Sequence, residues 1–422
     1  MINKRKIIND PVFGFINIPS DFQFDIIQHP YFQRLSRIKQ LGLAYLVYPG
    51  AVHTRLQHSL GAMFLMNMAV EQLISRGQKI SDEEKNAVLS AILLHDVGHG
   101  PFSHVLENSI LDGVSHEEIS LMLLEKMNAE LKIGDSQMSG TLDMAIAIFK
   151  NEYPKQFLHQ LVSGQLDMDR LDYLTRDSFF TGVVEGTIGF ARLIKMLNVA
   201  NDQLVVEAKG IYSAEQFLVA RRFMYWQVYL HKTSLAGEQM LIAIVRRAKE
   251  LLARGEKLFA LPQFLYFLEN NVSLDFFRKN PEAIEQFVRL DDNDIISTIK
   301  IWANAGAVAE GTRSDAVLSR LSRDFINRHL FKIHLLDKAV SETEVREKRR
   351  GIARELGISE QDAAYFVTTD MISTNTYTPK DDRINILYND GTTKDISAAS
   401  DMFNISVLNK EVRKYFYCYL RI

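Results

Sequence analysis

Residues 95 to 107 read HDVGHGPFSHVLE, so His95, His99, His104, Asp96 and Glu107 fall together directly after the apolar run AVLSAILL. The chain has 11 histidines in 422 residues, and six of them (His53, His58, His95, His99, His104 and His116) lie between positions 53 and 116. A lone histidine on a helix is ordinarily a packing or surface residue; this clustering points instead to metal ligation. Neighbours on a helix project about 100° apart, so His95 and Asp96 grip one ion only if other ligands arrive from elsewhere. HTRLQHSLG offers His58 and QLDMDRLDYLTRD offers Asp169. Two imidazoles and two carboxylates suit Mn, Fe, Zn or Mg, with positions left for water and a substrate oxygen. The competing reading is a solvated helix face, because the spacing of Asp167, Asp169, Asp172 and Asp177 does not define one side of a helix.

Downstream, His99, His104 and Glu107 stand outside that set. Each imidazole could be a capping or packing group, yet a histidine held near neutrality by a carboxylate is a competent proton donor to a leaving alkoxide. Arg55, Arg170, Arg221 and Lys232 are individually ordinary surface charges. Converging on a metal cleft they would suit a polyphosphate, because guanidinium pairs with phosphate through two parallel hydrogen bonds. Competing phosphate chemistries have no motif here: G-x-x-x-x-G-K-[ST], a strand-borne G-x-G-x-x-G and paired C-x-x-C are all absent. TGVVEGTIG has the wrong glycine spacing and reads as a loop. The residues alone indicate a helical metallohydrolase of phosphate esters.

Composition sets the frame. Hydrophobic content of 47%, charged content of 24% and a net charge of −3 describe a globular chain with no general basic field. Nucleic acid is therefore not an expected partner, nor is a membrane, since no apolar run approaches the ~18 residues of a span. The single cysteine, Cys418, and the polar start MINKRKIINDPVFG predict a cytoplasmic location. Cys418 itself, in YFYCYL, reads as a core residue.

The elements that must position these groups are mostly helices. LGAMFLMNMAVEQLISRG (60 to 77) has helical spacing and stops at a glycine. Ser81 with Glu84, and Ser115 with Glu118, form capping boxes for the next two helices; Gly98 is expected to end the first. His116 falls in the first turn of the second, where the helix dipole favours a neutral imidazole. Residues 160 to 180 read as one acidic helix and 214 to 255 as one long helix. LNVANDQLVVEAKG reads as a hairpin turning at Asn201 and Asp202. From about residue 330, strand-like FKIHLLDKA, AAYFVTTDMI, RINILYNDGTTKDIS and KYFYCYLRI flank one charged helix, with Asp390-Gly391 as a turn. The expectation is a mainly α protein: a helical domain over 1–329 and a small α+β subdomain over 330–422.

His58, the His95-Asp96 pair and Asp169 resemble the HD superfamily of metal-dependent phosphohydrolases. FQRLSRIKQLGLAYLVYPGAVHTRLQHSLG, LLHDVGHGPFSHVLE, SHEE, LDMDRLDYLTRD and ARRFMYWQVYLHK, in this order across roughly residues 5 to 330, are similar to its deoxynucleoside triphosphate triphosphohydrolases. The resemblance implies an HD-domain helical bundle with its metal-site core at about 40–235, and a divalent metal held by His58, His95, Asp96 and Asp169. It implies a catalytic group of His104, Glu107 and His116 that assists water attack at the α-phosphorus and protonates the 5′ oxygen. Arg55, His99, Arg221 and Lys232 would meet the triphosphate, and Tyr173 would line the site. Gln40 and Asp177 would hold the sugar 3′ hydroxyl, while Leu41 and Tyr229 would leave no room for a 2′ hydroxyl. It also implies deoxynucleoside triphosphates as substrates and a homodimer or homotetramer. Two other readings stay open: a phosphodiesterase or nuclease on single-stranded nucleic acid, and a nucleotide-binding sensor without turnover.

Overall fold

The computed structural model describes residues 6–132, 136–304, 315–374, 383–401 and 412–421; the side chain of His104 lies outside the described residues. Helices begin where the sequence supplies caps. Helix α1 (Arg55–Ser75) starts five residues before the expected run because Gln57 Oε1 accepts from the Thr54 N–H at 2.8 Å. It ends before Gly77, whose φ of +90° suits a residue without Cβ. Helix α2 (Asp82–Leu94) opens on the expected capping box: Ser81 N–H donates to Glu84 Oε2 at 2.8 Å and Glu84 N–H to Ser81 Oγ at 3.1 Å. Every residue from Ala87 to Leu94 is buried, so α2 is the hydrophobic centre. Each large side chain there contributes about 1.5–3 kcal/mol through removal from water. Past a turn come α3 (His104–Ile110) and α4 (His116–Lys132), the latter opened by the Ser115–Glu118 box.

Two expected helices are broken, and both breaks place functional side chains. Residues 160 to 180 divide into α5 (Gln156–Val162) and α6 (Met168–Thr181). The buried Asp167 starts α6 by accepting from the Arg170 N–H at 2.7 Å. The run after residue 210 divides into α7 (Ile211–Met224), a π turn at Tyr225–Tyr229 and α8 (Lys232–Ala253). The π turn adds a residue to the helical repeat and swings Tyr229 off the α7 register. Tyr48 donates to the Gln227 carbonyl at 2.5 Å, and the His231 ring caps α8 by accepting from the Thr233 N–H at 3.1 Å. No proline or glycine announces this break.

Strands β1 (Ile7–Asp10) and β2 (Gly14–Asn17) form an N-terminal hairpin. Strands β3 (Leu197–Ala200) and β4 (Gln203–Glu207) form the expected second one, with Asn201 and Asp202 both at positive φ in the turn. Strands β5 (Lys332–Leu336), β6 (Val367–Thr374) and β9 (Val412–Tyr419) make an antiparallel sheet in the order β5-β9-β6. Strands β7 (Asn385–Leu387) and β8 (Thr393–Asp395) join the other hairpin instead, in the order β8-β7-β4-β3, with β7 parallel to β4. Cys418 is fully buried in β9, and burial pushes its thiol up to about 12, as befits a core residue. Among the described residues no helix is long and apolar enough to cross a membrane.

Candidate metal centre

Four side chains, from two helices and the turn that follows a third, meet near the end of α2. His58 lies in the first turn of α1, His95 and Asp96 follow α2, and Asp169 lies in the first turn of α6. The Nε2 atoms of His58 and His95 stand 3.3 Å apart. Asp169 Oδ1 lies 3.1 Å from the first and 3.3 Å from the second. Asp96 reaches them with Oδ2 at 3.6 Å and Oδ1 at 3.3 Å, and the ligand atoms of His58, His95 and Asp96 all lie within 4.8 Å of one another. This nitrogen and oxygen set matches a divalent cation of borderline hardness.

The tautomers fit as well. His58 Nδ1 is 2.7 Å from Asp172 Oδ2, and His95 Nδ1 is 2.6 Å from the Ile92 carbonyl. Each Nδ1–H is thereby engaged, and each Nε2 is left to face a cation. Asp172 is fully buried and held by Arg176 through two 3.0 Å bonds; Arg176 also donates to Asp10 at 2.7 Å. Asp10 Oδ1 in turn accepts from the Val12 and Phe13 N–H groups. A Cβ at Gly61 would stand 2.0 Å from Asp172 Oδ1, so α1 passes this pair closely only as glycine. The solvated-face reading of the acidic helix is thus overturned, since Asp167, Asp172 and Asp177 are all buried.

Electrostatics follow the packing. Burial works against charge on His58, but Asp169, Asp172 and Asp96 outweigh it and raise its pKa to about 10. His95 is raised in the same way by Asp96 and Asp169. For Asp96, burial is outweighed by His95, Arg55 and His99, which hold the carboxyl well below its usual range. Arg55 donates to Asp96 Oδ2 at 2.5 Å and to Ser103 Oγ at 2.9 and 2.6 Å. Phe102 and Ser103 both have positive φ, and the Phe102 N–H is taken by Asp292 Oδ1 at 2.9 Å. Two consecutive non-glycine residues at such positive φ cost on the order of 1–3 kcal/mol each.

His99 lies 3.2 Å from Asp96 and stacks on His116 at 3.8 Å between ring centroids. Burial and Arg55 lower the His99 pKa well below its usual value. His116 is raised: burial opposes its charge, but Glu107, with Oε1 3.2 Å from Nδ1 and 2.7 Å from the backbone nitrogen, outweighs it. The expectation of a neutral His116 at a helix start is therefore corrected, because a contacting carboxylate acts more strongly than the dipole. His104 opens α3, one turn before Glu107.

A second cluster adjoins the first. Tyr173 stands 6.4 Å from His58 and 6.2 Å from Tyr229, ring to ring. Tyr229 donates to Asp177 Oδ2 at 2.8 Å, and the other oxygen of Asp177 lies 2.7 Å from His53 Nε2. The Gln40 backbone donates to the His53 carbonyl at 3.0 Å, while its buried Oε1 has no hydrogen-bond partner; the half-buried Leu41 follows it. Arg221, buried on α7, donates to Gln165 at 3.0 Å, and its Nε is unpartnered. Lys232 opens α8. It lines a cavity of about 430 Å³ with Arg328, Lys332, His334 and Arg421, and no metal-cluster residue borders that space. Sequence reasoning missed Asp10, Gly61, Asp172 and Arg176; the only local signal was the i, i+4 spacing of the last two.

Residues 55–177 match the HD domain family and residues 188–264 an HD associated region. The chain is 31% identical to uncharacterized protein YwfO of Bacillus subtilis, over 94% of this chain and 88% of that protein. It is 29% identical to a deoxynucleoside triphosphate triphosphohydrolase SAMHD1 homolog of Dictyostelium discoideum, over 72% of this chain and 63% of that one. The crystal structure of a phosphohydrolase from Bacteroides thetaiotaomicron superposes with a TM-score of 0.93 at 58% identity, covering 99% of this chain and all of that one.

Proposed function

We propose, from the premise that this chain belongs to the HD-domain phosphohydrolases, that it hydrolyses deoxynucleoside triphosphates to deoxynucleoside and inorganic triphosphate. One observation carries the reading: a four-ligand cluster of His58, His95, Asp96 and Asp169 beside a Glu107–His116 pair. A divalent metal bound by those four supplies positive charge against the oxygens of the reacting phosphate.

The chain's own residues divide the remaining work. Glu107 orients His116 and favours its protonated form; with His104 the pair assists water attack at the α-phosphorus and delivers a proton to the departing 5′ oxygen. His99, held neutral, offers a hydrogen bond to the phosphates rather than a second charge. Arg55 and Arg221 provide guanidinium groups for the triphosphate, with Lys232 further along the chain. Gln40 and Asp177 hold the sugar 3′ hydroxyl, whose one proton goes to the Asp177 carboxylate, Tyr173 walls the site, and Leu41 and Tyr229 occupy the space a 2′ hydroxyl needs. A site closed around a sugar rejects the bulkier analogue through steric exclusion and unpaired polar groups. The active form in this reading is a homodimer or homotetramer.

The test is a product assay with each of the four deoxynucleoside triphosphates, singly and mixed, with Mg or Mn. Inorganic triphosphate and deoxynucleoside are the expected products, and Asp96→Asn is expected to lose both metal and turnover. Metal-loaded protein that releases no triphosphate would overturn the reading. Cleavage of single-stranded nucleic acid would then favour the nuclease, and binding without turnover the sensor.

A further inference from the structure

The Asp177–Tyr229 pair depends on a residue that the proposed reaction leaves without a task. His53 is buried, its side chain fully enclosed. Its ring stacks on Phe180 at 4.5 Å and 17°, which fixes the imidazole plane. Nε2 lies 2.7 Å from Asp177 Oδ1, whereas the buried Nδ1 has no hydrogen-bond partner. A buried ring nitrogen without a partner is unfavourable, so the one polar interaction that justifies an imidazole here is the one to Asp177. The His53 backbone acts on the opposite wall. Its carbonyl accepts from the Gln40 N–H at 3.0 Å, and Lys39 pairs with Thr54 as an antiparallel bridge on either side.

One residue therefore reaches, directly or through one bond, the groups assigned to the sugar: Gln40 and its neighbour Leu41 through the backbone, Asp177 through the ring, and Tyr229 through Asp177. We propose that His53 is a positioning residue for sugar selection, donating from Nε2 to hold Asp177 so that one carboxylate both fixes Tyr229 against a 2′ hydroxyl and accepts the 3′ hydroxyl. The chemistry allows this. An ionised carboxylate has about four acceptor sites, of which His53 and Tyr229 use two. Without His53, Asp177 can rotate about its side-chain torsions, and the 3′ acceptor and the 2′ barrier loosen together. This role rests on the deoxynucleotide reading above.

The experiment compares kcat/KM for a deoxynucleoside triphosphate, its 2′,3′-dideoxy analogue and its ribonucleotide, in wild type, His53→Leu, His53→Gln and Tyr229→Phe, with metal content measured throughout. His53→Leu keeps the bulk and loses the donor; it is expected to lower both the deoxy-over-dideoxy and the deoxy-over-ribo preference by ~10-fold, the order expected for one site hydrogen bond. The loss should fall on KM for the deoxynucleotide more than on kcat. His53→Gln places an amide N–H near the Nε2 position and is expected to regain part of both preferences. Tyr229→Phe, which leaves His53 intact, is expected to weaken the ribonucleotide preference and carries the test if His53→Leu does not fold. Metal-loaded His53→Leu with both preferences unchanged, or His53→Gln no better than His53→Leu, would overturn the role. So would an unchanged ribonucleotide preference in Tyr229→Phe. Wild type that releases no triphosphate removes the function reading and this role with it, whereas wild-type turnover with unaltered preferences in the variants removes this role alone.

Discussion

His58 and Asp172 are separated by 114 positions, yet the 2.7 Å contact between them decides which imidazole nitrogen can face a cation. Replacing Asp172 with Asn leaves the shape and removes the charge that makes His58 a strong ligand. Metal affinity is expected to fall 10- to 100-fold, the usual consequence of losing such a partner. Equilibrium dialysis against Mn or Zn would measure it, and an unchanged affinity would show that Asp172 serves the fold alone. The meeting of His58, His95 and Asp96, with Asp169 beside them, was legible in the sequence because histidine and aspartate beside apolar runs are chemically conspicuous. Asp172 and Arg176 were not, since an aspartate four residues before an arginine resembles any surface pair on a helix. Their burial and their reach to Asp10 in the N-terminal hairpin are properties of tertiary packing, which local spacing does not encode.

Among the elements, the starts of α2 and α4 followed from their capping boxes, and the β3–β4 turn from its Asn-Asp pair. The break after α7 had no such signal, because His231 and the Tyr48 contact create it without proline or glycine; the break after α5 contains Gly164, whose N–H donates to the capping Asp167. Gly98 had a signal that pointed to the wrong cause. It was expected to terminate a helix, but α2 ends at Leu94 and Gly98 is needed for a close approach. A Cβ there would stand 2.2 Å from the His116 carbonyl oxygen and 2.3 Å from the Ser120 nitrogen. Ser120 Oγ also accepts from the Gly98 N–H at 2.9 Å and donates to the His95 carbonyl at 2.7 Å. Gly98→Ala is expected to push the His95–His99 turn off α4, costing about 1–3 kcal/mol of stability and displacing two metal ligands. Thermal unfolding and metal titration together check this: a stable variant with wild-type affinity would mean that the turn adapts freely.

Across the whole molecule, pH and topology bear on stability. Burial pushes the Glu238 carboxyl on α8 from its ordinary 4.5 up to about 7. The native state then keeps its proton to higher pH than the unfolded chain does. Stability falls as pH rises from about 4.5 to about 7, by at most about 3 kcal/mol, and stays lower above that window. Glu238→Gln is expected to unfold at a higher temperature than wild type at pH 8, with most of the gain absent at pH 5. An equal shift at both values would assign the effect to packing instead of ionisation.

Sequence reading gave the C-terminal strands but not their partners, because short alternating segments carry no record of which sheet they join. Strand β7 lies beside β4 of the main helical region, with Val206 opposite Ile386, while β5, β6 and β9 form their own sheet. Ile386 is fully buried, and the helix following β8 packs on α7. The chain after residue 330 is thus tied to the element that bears Arg221. Ile386→Ala is expected to cost about 2–5 kcal/mol, as a cavity at a fully buried aliphatic site does. If the two regions unfold together, the variant melts in one transition at lower temperature, and amide exchange accelerates in β4 at Val205 and Val206 as well as in β7. A separate early transition, with exchange in β4 unchanged, would show that β7 detaches alone and that the helical region stands without it.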